Sequence, residues 1–95
     1  MAARFKTVAH TIGASPATLE SIINSAGDTF ISSLTLRAGK SNGSDVTWLD
    51  SAGAIGGYLE AREAASFDLT GKFVKTTDIK IAGTAGDLVY ITVVS

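Results

Sequence analysis

The chain has 95 residues and a mass of 9.7 kDa, enough for one domain that buries about 64% of its unfolded surface. It holds no cysteine and one histidine, His10, which excludes disulfides, thiol catalysis, Cys-based metal sites and any multi-histidine mechanism. Eight basic and nine acidic residues are scattered to a formal net charge of −1, which argues against nucleic-acid binding and against a charged tail.

Phe5–Ile12 has the β-branched content of a strand, with Thr7, Val8, Thr11 and Ile12. Ser15-Pro16-Ala-Thr-Leu-Glu carries the letters of a helix start, Ser15 as N-cap and Pro16 at the first position. That helix would align Leu19, Ile22 and Ile23. The same letters fit a strand through Leu19–Ile23, and the adjacent isoleucines tip the reading to strand. Gly27-Asp28 marks the turn that follows. Residues 1–25 are thus either first strands or an extended arm reaching a neighbouring subunit, and 26–95 form the core of the domain.

In Phe30–Ala38, Phe30, Leu34, Leu36 and Ala38 share one face, while Ser33, Thr35 and Arg37 take the other. Asp45–Leu49 follows a six-residue connector, Gly39-Lys-Ser-Asn-Gly43-Ser, and the two segments read as a hairpin. Val46 and Trp48 face the core together, with Trp48, the only tryptophan, as its anchor. Gly56-Gly57-Tyr58-Leu59 leads to Ala65–Thr70, where Phe67 and Leu69 share a face. Gly71-Lys72 turns the chain into Phe73-Val74-Lys75. Ile79 and Ile81 point inward and Lys80 outward. Gly83–Asp87 is a tight turn, and Leu88–Val94, apolar on both faces, reads as a central strand or one whose outer face is covered. The expected fold is all-β: a small antiparallel β-sandwich or barrel of about six to eight strands.

Chemistry-bearing patterns are few. Nothing selects a facing pair among Glu20, Asp28, Asp45, Asp50, Glu60, Glu63, Asp68, Asp78 and Asp87, most of which stand in turns. Asn42-Gly43-Ser44-Asp45 supplies oxygens but not the spacing of a calcium loop. Gly53–Gly57 and Gly83–Gly86 lack the Gly-Lys-Ser/Thr ending of a phosphate loop, and no serine sits in a Gly-x-Ser-x-Gly elbow. The expectation is a non-enzymatic protein with no metal and no cofactor. No apolar run is long enough to span a membrane, and Met1-Ala-Ala-Arg-Phe-Lys leads into no signal-peptide core.

What remains is a surface short of charge. Ser and Thr number 21, Ala 14 and Gly 10, while charged residues make up 18% against about 25% in an ordinary domain. Mean hydropathy is +0.28. Part of the surface is therefore expected to be covered by other copies or by a partner. Glu60-Ala-Arg62-Glu63 is the most charged stretch. It reads equally as a solvated connector or as a subunit contact in which Arg62, Glu60 and Glu63 set the register. Tyr90, with Trp48 and Tyr58, could also serve a carbohydrate-binding module as a stacking platform, provided the rings are exposed and coplanar.

Three stretches carry a resemblance. They are Ser33-Leu-Thr-Leu-Arg with the following Asp45-Val-Thr-Trp-Leu-Asp, then Gly57-Tyr-Leu-Glu with Ala65-Ser-Phe-Asp-Leu-Thr, then Asp78-Ile-Lys-Ile-Ala-Gly with Asp87-Leu-Val-Tyr-Ile-Thr-Val-Val. In this order they resemble the small β-sandwich structural proteins of tailed bacteriophages, over roughly residues 28–94. The resemblance implies a capsid cement or decoration protein, or a head-fibre or tail-attachment subunit. It implies residence on the virion's capsid surface after synthesis in the host cytoplasm, with the major capsid protein as partner and a homotrimer as the favoured assembly. Arg62, Glu60, Glu63 and Tyr90 are the candidate assembly contacts.

Overall fold

Alternation of apolar and polar residues drives most of this chain into strands, and the computed structural model, which describes residues 5–23, 30–68 and 74–94, is an antiparallel β-sandwich. The expected turns at Gly27-Asp28 and Gly71-Lys72, together with Leu69, Phe73 and the 25/26 boundary, lie outside the described residues. In chain order the elements are β1 (Phe5–Thr11), β2 (Ala17–Thr18), α1 (Leu19–Ile23), β3 (Phe30–Ile31), β4 (Ser33–Ala38) and β5 (Val46–Asp50). Then come β6 (Ile55–Leu59), β7 (Ala64–Asp68), β8 (Val74–Lys75), a 3-10 turn (Thr76–Asp78), β9 (Ile79–Ala82) and β10 (Leu88–Val94). The first sheet runs β1-β10-β4-β7 and the second β2-β9-β5-β6, with β3 and β8 forming a two-stranded ribbon.

The inward faces of the two sheets meet in one core. Leu34, Leu36, Val89, Ile91 and Val93 from the first sheet pack with Val46, Leu59 and Ile81 from the second. Fully burying an aliphatic side chain of this size contributes about 1.5–3 kcal/mol, so this cluster is the main source of stability. Leu88–Val94 is the central strand that its two-faced apolar pattern predicts, flanked by β1 and β4.

Residues 5–23 enter the fold as strands and a helical turn rather than as an arm. β1 pairs along its length with β10, and Ile12, Leu19 and Ile23 are buried in the core. The strand expected over Leu19–Ile23 is a helix, and it does not start at Ser15-Pro16. Thr18 is its cap: its Oγ1 accepts from the Ser21 N–H at 3.3 Å, while Ser21 Oγ donates back to the Thr18 carbonyl at 2.9 Å. A hydroxyl that satisfies an orphan N–H outweighs the mild strand preference of two isoleucines. At the other end, Lys6 Nζ donates to the Ile23 carbonyl, a cation on a helix C-terminal carbonyl.

Two further expectations change. Asp45–Leu49 does not form a hairpin with Phe30–Ala38: β4 and β5 belong to different sheets, and the connector arches between them. The chain leaves the first sheet because Asn42 takes a strand's place beside β10. Its Nδ2 donates to the Leu88 carbonyl and its Oδ1 accepts from the Leu88 N–H, both at 2.8 Å. Phe30 does not share the inward face of β4 either. The run breaks at Ser32, whose N–H donates to the Val94 carbonyl at 2.8 Å, so Ile31 is buried and Phe30 is half exposed beneath Lys75.

Trp48, expected as a core anchor, is partly buried. It packs on the core and meets Phe67 edge-to-face, ring centroids 5.5 Å apart. Opposite it, the β5–β6 register shifts by one residue between Trp48 and Leu49, so Gly56 and Gly57 both face the indole. A Cβ on Gly56 would fall 2.6 Å from Trp48 Nε1, and one on Gly57 would fall 2.6 Å from Trp48 Cη2. The ring lies flat on bare backbone because two glycines leave the space. Gly57→Ala is therefore expected to lose about 2 kcal/mol through forced overpacking, lowering the melting temperature by roughly 10 °C. Thermal unfolding followed by Trp48 fluorescence checks it, and Gly43→Ala, where a Cβ meets nothing within 4 Å, is the neutral control.

Candidate functional site

The outward side of the first sheet is set by register. One row across its four strands reads Thr7, Thr92, Thr35, Ser66, and the next reads Ala9, Tyr90, Arg37, Ala64. The hydroxyls of the first row pair along it, Thr7 with Thr92 at 3.3 Å and Thr35 with Ser66 at 3.2 Å. The hydroxyl row is polar and uncharged, and Arg37 is the charge in the next.

At Arg37 the face opens into a shallow hollow of about 490 Å³ lined by Arg37, Ala38, Lys40, Arg62 and Tyr90. Each cation reaches it by a different route. Arg37 and Tyr90 are cross-strand partners on β4 and β10. Lys40 follows Gly39, whose N–H donates to the Leu88 carbonyl at 2.9 Å and whose missing Cβ leaves room for Asn42 and Leu88. Arg62 sits in the turn between β6 and β7. There the Glu63 N–H donates to the Glu60 carbonyl at 3.0 Å, and the turn is pinned to β4 by the Arg62 N–H to the Ala38 carbonyl at 3.3 Å and by the Ala38 N–H to the Glu63 carbonyl at 2.9 Å.

Arg62 is third in that turn and has φ +73°, the only positive value on a non-glycine residue among those described. A turn of this kind calls for glycine at that position. The Arg37 guanidinium donates to the Arg62 carbonyl at 3.1 Å, so one arginine braces the backbone of the other. Glu63 turns its carboxylate to the Glu60 N–H at 2.7 Å instead of to Arg62. Among the described residues no carboxylate lies within ion-pair range of Arg37, Lys40 or Arg62.

Of the four predicted contacts, the structure thus brings Arg62 and Tyr90 together and leaves Glu60 and Glu63 on the adjoining turn. Sequence reasoning missed Arg37 and Lys40. Arg37 was legible as an outward position of β4, but nothing local shows that β10 and the β6–β7 turn lie on either side of it.

A second concavity of about 300 Å³ opens between the sheets near the start of β4, where Leu34, Trp48, Phe67 and Ile79 meet Asp50 and Asp78. Asp50 is committed to its own hairpin loop, accepting from the Ala52 and Ala54 N–H groups at 2.9 Å each. The aromatic platform does not assemble. Trp48 faces inward, Tyr58 stands on the outer side of the second sheet, and Tyr90 stands on the outer side of the first. Asp87, expected in the turn before β10, accepts from the Gly43 and Ser44 N–H groups at 3.3 and 3.2 Å, which makes the Asn42–Asp45 stretch a braced loop.

No group of three His, Asp or Glu side chains placed to hold a metal ion occurs among the described residues, and no helix there is long and apolar enough to cross a membrane. No family model, curated protein or solved structure matches the chain.

Two outcomes follow from this geometry. Arg62→Gly removes a left-handed strain of about 1–2 kcal/mol, partly offset by the greater freedom of glycine in the unfolded chain, about 0.5–1 kcal/mol. Urea unfolding should therefore show stability unchanged or raised by up to about 1.5 kcal/mol, whereas Arg62→Val should lower it. His10 lies half-buried on the inner side of β1, and desolvation holds its pKa below the usual 6.5. The unfolded chain then takes up this proton first as pH falls, so stability declines from about pH 6.5 downward and levels off below the folded-state pKa. In His10→Gln this part of the pH dependence should vanish from urea midpoints measured across that range.

Proposed function

We propose that this chain is a non-enzymatic structural subunit of a tailed-phage virion, binding the outer capsid surface as a cement or decoration protein and assembling as a homotrimer. The observation that carries the reading is the β6 edge. Among the described residues β6 ends the second sheet, so one side of its backbone has no neighbouring strand. Ile55-Gly-Gly-Tyr-Leu59 carries neither charge nor proline, and Ile55 and Tyr58 are 68% and 61% exposed. Protein edges are ordinarily blunted by lysine, proline or a covering segment. An edge left apolar suits pairing with another sheet, where backbone hydrogen bonds supply affinity and alternate side chains supply fit.

The other supports are the low charge, the hydroxyl-bearing face of the first sheet, and the resemblance over residues 28–94. A shell offers one surface many times over, so a subunit that binds it gains from symmetry and from contacts that need no special chemistry. The mechanism is mechanical: subunits bound across the junctions of the shell add contacts that resist the pressure of the packaged genome.

Sedimentation with purified expanded heads tests this directly. Saturable binding spread over the shell is the expected result, with light scattering giving three times the chain mass. A few copies per particle would move the subunit to a head fibre or tail attachment, and no binding would overturn the virion reading. Tyr58→Lys, which places a charge on the free edge, should keep the fold and reduce binding about tenfold or more.

A further inference from the structure

The hollow at the Arg37–Tyr90 end of the first sheet lies apart from the β6 edge, and its chemistry is one-signed. Three cations converge on it in a chain whose formal net charge is −1. On the nearest acidic turn, Glu63 directs its carboxylate to the Glu60 N–H and makes no ion pair with Arg62. We infer that this hollow is a docking site for paired carboxylates carried by an acidic peptide segment of a binding partner.

Four observations carry this. Like charges brought together without counter-charge repel, and the arrangement is relieved when an anion arrives from outside. Arg62 occupies a backbone position where glycine would be free of strain, and the side chain it keeps there lines the hollow. Strain of this kind clusters at sites of function. Guanidinium groups match carboxylate geometry, with Arg62 and the donors of Arg37 beyond its bond to the Arg62 carbonyl, and Tyr90, 42% exposed and cross-strand from Arg37, supplies an aromatic anchor of the type enriched at binding hot spots. Last, the hollow is open. A small free anion there would stay hydrated and gain little, whereas a segment laid across the neighbouring hydroxyl row of the sheet would exclude water from the contact. A nucleic-acid backbone calls for an extended basic stripe, whereas these three cations are confined to one hollow.

The inference rests on the assembly reading only for the identity of the partner, a shell protein with an acidic surface segment. The peptide-binding chemistry stands without it.

The test uses the full chain, labelled with nitrogen-15 and titrated with N-acetylated hexa-aspartate. Sodium citrate and single-stranded oligothymidylate are titrated in parallel, with calorimetry for affinity. Hexa-aspartate should bind, shift the amides around Arg37, Lys40, Arg62 and Tyr90, and weaken steeply with added salt. Arg62→Gly, which relieves the turn and so keeps the fold, should weaken it about tenfold, as should Arg37→Gln, while Lys75→Gln leaves it unchanged.

Absence of binding, shifts centred elsewhere, or equal binding by Arg62→Gly would overturn the proposal. Citrate binding as tightly as the peptide would make this a small-anion site. Tighter oligothymidylate binding would make it a phosphate site, and self-association lost in Arg62→Gly would make the occupant a second copy. Each of these outcomes also overturns it. A chain that sediments with heads but ignores hexa-aspartate defeats this inference alone. One that takes hexa-aspartate but not heads defeats the virion reading alone.

Discussion

The position of β10 is the constraint on which the first sheet depends. Its inward residues Val89, Ile91 and Val93 are buried, and it pairs on one side with β1 and on the other with β4. Both of its ends are tied. At the start, Asn42 bonds Leu88 twice, the Gly39 N–H reaches the Leu88 carbonyl, and the Ile12 N–H donates to the Asp87 carbonyl at 2.8 Å. At the end, the Ser32 N–H and hydroxyl both reach the Val94 carbonyl. A strand pinned at both ends cannot slip, and a slip of one residue would turn Tyr90 inward and Ile91 outward. The same bonds that fix the register therefore fix Tyr90 beside Arg37, and the loop they hold carries Lys40.

The strand edges divide into managed and unmanaged ones. β1 ends the first sheet but carries Lys6 on its inner side, tied to α1, an inward charge of the kind that blocks edge pairing. β2 is an edge of two residues, too short to template a partner. β7 ends in Asp68. Among the described edges of the two four-stranded sheets, β6 alone presents large exposed apolar side chains with no charge, and the glycines that might otherwise be read as weak points in it are required by the Trp48 ring. The core and the edge thus make opposite demands on one strand. Glycine is needed on the inner side to seat the indole, while Ile55 and Tyr58 stay largely exposed among the described residues.

The fold class was legible because period-two alternation is a local property, and it survives in β4, β5, β9 and β10 whatever they pair with. The pairings were not legible, because they are almost all non-local. Among the described residues only β5 and β6 are consecutive strands that pair. Letters such as Gly-Lys-Ser-Asn-Gly-Ser read as a hairpin turn, yet an Asn side chain acting as a strand residue turns that loop into an arch between sheets. Thr18 as a helix cap was hidden for a similar reason. Ser15-Pro16 is the stronger written signal, but the chain is still extended at Ala17–Thr18, where it pairs with β9. In the site, Arg62 and Tyr90 were visible as residues out of keeping with their surroundings. Arg37 and Lys40 join them only through the order β10-β4-β7.

The Glu60–Glu63 turn links the two surfaces in one piece of backbone. It leaves the unpaired edge at Leu59, presents Arg62 to the hollow, and enters β7 at Ala64, with two hydrogen bonds to Ala38 holding it against β4. A contact made along β6 and a contact made in the hollow are therefore separated by a four-residue turn that has little freedom to relax, since Arg62 is braced by Arg37 and Glu63 closes the turn on Glu60. Rigid coupling of this kind lets two modest contacts act as one, because the second forms without further loss of orientational freedom. In a low-charge domain with a core this small, the proposed pair of contacts would give firm attachment without a large interface, with the most charged stretch of the chain standing where an uncharged edge ends.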